Sequence, residues 1–114
     1  MCSKSELQVI TRSVIDGASE LMENKIYKII LYGSYARGDF DSESDVDIMI
    51  LFDGTLEEAK GYRKQLSRLA SRIGMANDIE VSLLVRDKSS FESGLTILPF
   101  YQNVQNEGIV IYGA

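Results

Sequence analysis

The sequence predicts one mixed α/β (α+β) domain over residues 1–114, built on a small mixed β-sheet. Three observations carry that prediction. Short β-branched apolar runs at 26–32, 46–52, 79–85 and 109–112 read as strands. Apolar residues spaced at three and four read as helices between them. Capping residues and glycines punctuate the joins. A chain of 114 residues lies in the commonest size range for one domain, and folding at that size removes roughly two-thirds of the surface from water. No linker-like composition, internal repeat or low-complexity stretch divides it.

The elements follow in order. Ser3 and Glu6 have capping-box spacing and open a helix whose inward face is Leu7, Ile10, Val14, Ala18 and Leu21. Asn24 is the expected left-handed stop. Ile26–Tyr32 reads as a buried strand ending at Gly33, and Val46–Phe52 as a second ending at Asp53-Gly54. Thr55 and Glu58 form another capping box, and Leu56, Ala59, Tyr62, Leu66, Leu69 and Ile73 continue at helical spacing to an expected stop at Gly74. A third strand is expected over 79–85. Ser89 and Glu92 are read as capping a short turn. A helix is expected over 96–107, with Pro99 in its first turn and Gly108 beyond its end. Ile109–Tyr112 closes the sheet as an edge strand. The pattern leaves strand order open.

Composition excludes several chemistries. With no histidine, the chain holds no Ser-His-Asp or Cys-His pair and no imidazole metal ligand. Its one cysteine, Cys2, forms no internal disulfide or cysteine zinc site and is expected to have no structural role. No apolar run reaches the ~20 residues of a membrane span. The first residues lack an apolar signal core, so a cytoplasmic protein is expected. Twelve basic against seventeen acidic side chains give a net charge of −5, which argues against nucleic acid as a partner. Arg63, Lys64, Arg68 and Arg72 read as a solvated helix face.

The informative stretch runs from Leu31 to Leu51. Gly33-Ser34 lets the backbone turn sharply and approach a ligand with no Cβ in the way. If Ser34 opens a helical turn, its amides and hydroxyl suit an anion, with Arg37 adding a guanidinium. Five acids follow between Asp39 and Asp47. Asp39, Asp41 and Glu43 read as solvated loop carboxylates, with Asp41 and Ser42 shaping a turn. Asp45 and Asp47 differ because they enter a strand on one face, roughly 6–7 Å apart. Such a pair is electrostatically costly without a cation, and hard oxygen ligands suit Mg²⁺. If the second and third strands are neighbours, Glu80 meets that pair across the sheet, with Asp78 as the fallback. Three carboxylates could then hold two Mg²⁺ beside a nucleoside triphosphate. Tyr32 and Tyr35 flank the turn, where they could stack on a base, and read first as packing groups. Phe100-Tyr101 belongs either to the core or to an interface.

Gly33-Ser34, its spacing to Ser44-Asp45-Val46-Asp47, and the later carboxylate-bearing strand resemble the DNA polymerase β-like nucleotidyltransferase superfamily. The chain is most similar to its minimal nucleotidyltransferase (MNT) members, which include antitoxins of HEPN–MNT toxin–antitoxin pairs. That resemblance implies a nucleotidyltransferase-like fold with helices mainly on one face of the sheet. It implies Gly33, Ser34 and Arg37 as nucleotide-binding residues, and Asp45, Asp47 and Glu80 as catalytic and metal-ligating. Many relatives have Asp at the third acidic position, so Glu80 is a departure. The implied reaction is Mg²⁺-dependent transfer of a nucleoside monophosphate, AMP from ATP, to a hydroxyl. A chain this short has no room for an acceptor domain, so a partner protein is expected to supply the acceptor, and the resemblance implies a tyrosine on a HEPN-type toxin. The alternatives are a homodimeric small-molecule nucleotidyltransferase and a non-catalytic toxin-binding antitoxin.

Overall fold

The computed structural model describes residues 3–113, so the expectation for Cys2 lies outside the described residues. Helix α1 (Lys4–Met22) begins at the predicted capping box, with both reciprocal Ser3–Glu6 hydrogen bonds at 3.2 Å. It ends one residue before the expected stop. Glu23, not Asn24, takes the positive φ of 54°, and Asn24 lies in a 3₁₀ turn (Glu23–Lys25) that leads straight into the sheet.

The strands are β1 (Ile26–Tyr32), β2 (Val46–Phe52), β3 (Val81–Asp87) and β4 (Ile109–Tyr112), in the order β3-β2-β1-β4. The β1–β2 and β1–β4 pairs are antiparallel, whereas β2–β3 is parallel. That parallel step requires a crossover, which α3 (Leu56–Asn77) supplies. The expected third strand is displaced by two residues. Asp78 takes a left-handed C-cap at φ 52°, and residues 79 and 80 complete the reversal before the strand starts. Gly74 does not stop α3. It lies inside the helix where Asp78 and Ile79 both donate to its carbonyl, and an added Cβ would sit 2.7 Å from the Ile79 carbonyl oxygen. Its glycine therefore serves close packing of the reversal.

Helix α4 (Lys88–Gly94) is capped by Asp87, whose carboxylate accepts from the Ser90 amide at 3.0 Å, and not by Ser89. Helix α5 (Pro99–Glu107) begins at its proline, three residues later than expected, because proline at the first helical position has no amide to satisfy. A four-residue helical turn, α2 (Ser34–Arg37), follows β1.

Strand alternation makes two cores. Ile29, Leu31, Val46, Ile48, Ile50, Phe52, Val81 and Val85 face the long helices α1 and α3. Ile30, Met49 and Leu51 face the short α4 and α5 through Phe91, Tyr101 and Val104. Both long helices thus cover one face, as expected, and the short pair covers only part of the other. The uncovered part holds the site.

Candidate active site

The site forms where β1 ends and β2 begins. Antiparallel register sets Tyr32 opposite Asp47, so the turn after β1 arrives beside the first residues of β2. Gly33 has φ 78° and ψ −158°, a conformation other residues rarely adopt. A Cβ there would lie 2.5 Å from Asp47 Oδ2. Glycine is required twice at this position: once by the backbone angle, and once because the Asp47 carboxylate occupies the space. The amides of Ala36 and Arg37 both donate to the Gly33 carbonyl at 3.1 Å, which closes α2 and places Ser34 at its start.

Asp45 and Asp47 are both half-buried, on the face that α4 and α5 leave open. Burial, with Asp45 next, pushes the Asp47 carboxyl above its ordinary range, while Arg37 pulls it down. Two carboxylates that repel in a half-dry setting fit a divalent cation chemically, since a cation removes both penalties. The remaining acids of the loop do other work. Asp41 accepts from the Glu43 amide and the Ser44 hydroxyl, shaping the turn as expected. Asp39 pairs with Arg37 at 3.1 Å, and Glu107 from α5 approaches the same guanidinium at 3.4 Å. Arg37 is therefore near Asp47 but is held by two exposed carboxylates.

The expected neighbouring of the second and third strands is observed, and it sets Glu80 level with one carboxylate of the pair and not with the other. In the parallel β2–β3 register Val46 is opposite Val81, and the Val46 amide donates to the Glu80 carbonyl at 3.0 Å. Glu80 is thus level with Asp45, one step before the strand, and exposed. With Asp78 it lines a hollow of about 490 Å³ at the end of α3. Among the described residues, no three acidic or other metal-ligating side chains come together in a metal-holding group. The residue opposite Asp47 is Ser82.

Sequence reasoning named Phe100 and Tyr101 but did not place them, or Arg86 of β3, beside this face. Arg86 shares the face of Asp47 by alternation, and its Nε donates to the Tyr101 hydroxyl at 3.0 Å. Tyr32 packs edge-on against Phe100, with ring centroids 5.6 Å apart. Burial pushes the Tyr32 hydroxyl up to about 12, with Asp47 adding to the shift and Arg86 opposing it. Tyr35 is buried and stacked on Phe40 at 4.4 Å, a packing role. Of the Phe100-Tyr101 pair, Tyr101 joins the core and Phe100 stays 43% exposed. A cavity of about 170 Å³ lies between Tyr32, Gly33 and Arg37 on one side and Phe100, Asn103 and Glu107 on the other. Finding these neighbours from sequence would have required the strand order.

This arrangement agrees with what the whole chain resembles. The family model for the nucleotidyltransferase domain matches residues 12–111. The chain belongs to the nucleotidyltransferase domain family. Two curated relatives of this nucleotidyltransferase come from Methanocaldococcus jannaschii. "Putative protein adenylyltransferase MJ0141" is 36% identical over 95 residues, 82% of this chain and 86% of the relative. "Putative protein adenylyltransferase MJ0604" is 29% identical over 101 residues, 89% of this chain and 93% of the relative. Among solved structures, a toxin–antitoxin crystallised with AMP-PNP superposes with a TM-score of 0.62 and 27% identity, covering 90% of this chain and 73% of that one. A mutant of the MntA toxin–antitoxin superposes with a TM-score of 0.61 and 26% identity, covering 96% of this chain and 73% of that one, in line with the MNT resemblance.

Proposed function

We propose that this nucleotidyltransferase transfers AMP from ATP to a tyrosine hydroxyl of a partner HEPN-type toxin, and so acts as an antitoxin in the cytoplasm. The observation that carries the reading is the contact between the Gly33 turn and the Asp47 carboxylate. It puts a backbone turn suited to phosphates beside a carboxylate pair suited to Mg²⁺. The names of the two archaeal relatives favour protein as acceptor, and the matched toxin–antitoxin structures favour a toxin as that protein. On this reading residues 1–114 form one catalytic domain, and the partner provides the acceptor surface.

Gly33 and Ser34 bind the triphosphate tail, and Arg37 adds positive charge near it. Asp45 and Asp47 hold Mg²⁺, which when bound neutralises phosphate charge and lowers the pKa of a nearby hydroxyl. The acceptor oxygen forms a bond to the α-phosphorus as the α–β bridging P–O bond breaks and pyrophosphate leaves. On this reading Asp47 takes the hydroxyl proton. Tyr32 stays protonated at neutral pH and contributes shape and a neutral hydroxyl. Most of the rate enhancement comes from position and charge.

The test is incubation with α-³²P-ATP, Mg²⁺ and a HEPN-type partner protein from the same genome. The wild-type chain labels a tyrosine of that partner. The Asp45→Asn/Asp47→Asn variant loses more than about 10²-fold of the transfer rate while keeping its circular-dichroism spectrum. Equal labelling by the double variant would overturn the carboxylate assignment.

A further inference from the structure

The β2–β3 register decides how many cations this chain can hold with its own side chains. Adjacent strands lie about 4.8 Å apart, so the residue able to share a cation with Asp47 is the one directly opposite on the same face. That residue is Ser82. Alternation confirms the face: Val81 and Val85 belong to the core under α1 and α3, and Leu84 packs with Met49 and Leu51 toward α4 and α5. Ser82, Leu84 and Arg86 therefore share the side of Asp47, Met49 and Leu51. Glu80 is level with Asp45, but it precedes the strand, is exposed and lines the hollow at the end of α3, and among the described residues it forms no group of three ligating side chains with the pair. Toward Arg86 the same face carries a fixed positive charge, with Leu84 between.

We infer that this is a one-cation site: Asp45 and Asp47 hold a single divalent ion with the nucleotide, and Ser82 occupies the position where a third carboxylate would bind a second. The inference rests on the nucleotide-and-metal reading above. The triphosphate brings negative charge of its own, so the limit lies in the protein's ligands: two carboxylates fix one ion in place. A second ion would lean on a neutral hydroxyl, which offers a hard cation far less than a carboxylate does. The substitution costs the fold nothing visible, since Ser82 is exposed at the start of its strand. Its expected effect is confined to ion count and to the concentration of divalent metal needed for turnover.

The probe is Mn²⁺, counted by electron paramagnetic resonance of the free ion, with the full chain saturated by the non-hydrolysable analogue AMP-PNP. Wild type is expected to bind one Mn²⁺ per bound nucleotide, Ser82→Asp two, and Ser82→Asn one. Two tightly bound ions in wild type would overturn the inference, and loss of the second in Glu80→Gln would identify Glu80 as the third ligand instead. A Ser82→Asp variant that melts normally and still binds one ion would also overturn it. The Asp45→Asn/Asp47→Asn variant separates the two claims. If that variant binds the Mn²⁺–AMP-PNP complex with wild-type affinity, the carboxylate reading itself fails, whatever residue 82 does.

Discussion

Asp47 is held in a position that its own fold disfavours. Its carboxyl titrates above the ordinary range because it is half-buried and beside Asp45. The folded chain therefore keeps this proton to higher pH than the unfolded chain. Its favourable contribution is complete below the ordinary carboxylate pKa and is lost as pH rises through the raised value. At neutral pH the ionised group opposes folding. In EDTA, Asp47→Asn should therefore raise Tm at pH 7 and flatten its pH dependence across the carboxylate range, while removing activity. Mg²⁺ with AMP-PNP should raise Tm for wild type and not for this variant. A lower Tm for Asp47→Asn at pH 7 would contradict this account. Gly33 shows the complementary constraint, since its missing side chain is the room that Asp47 uses.

At the scale of elements, the sequence was most legible where local hydrogen bonding decides the outcome. Both capping boxes form as spaced, Ser3 with Glu6 and Thr55 with Glu58. Thr55→Ala should cost about 1 kcal/mol in denaturant unfolding, through loss of the hydroxyl that accepts from the Glu58 amide. Glu58 also pairs with Lys25 at 2.6 Å across the sheet entry, but both side chains are substantially exposed and that pair adds little. Helix ends were less legible. Gly74 has the residue type of a stop, yet its role is to let the chain reverse against it. Gly74→Ala should destabilise the chain and disturb the β3 entry, whereas Gly61→Ala, with open space around it, should not. Thermal melts of the two variants side by side check this contrast.

For the whole molecule, the sheet ties the site to a core on its far side. Ile50 is fully buried between Ile29 and Val85, facing α1 and α3, while its neighbours Met49 and Leu51 face the site side. Ile50→Ala should cost roughly 2–5 kcal/mol by equilibrium unfolding, with the wild-type ion count retained in whatever fraction stays folded. Among the described residues, no helix is long and apolar enough to cross a membrane.

The sequence by itself determined the types of the strands and long helices, the same-face placement of Asp45 and Asp47, and the need for glycine at the turn before Ser34. Each of these follows from short-range geometry: strand alternation, capping distances, and the backbone angles a Cβ forbids. Only the tertiary structure decided what stands next to Asp47. Register between β2 and β3 is set by how α3 returns the chain, and the two-residue delay at Asp78 moves every β3 side chain along the sheet. The register puts Ser82 opposite Asp47 and leaves Glu80 level with Asp45. It also brings Arg86, through Tyr101, to the same face. A strand carries its alternation in its own residues, but its partner's register depends on a helix of 22 residues and the turn that ends it.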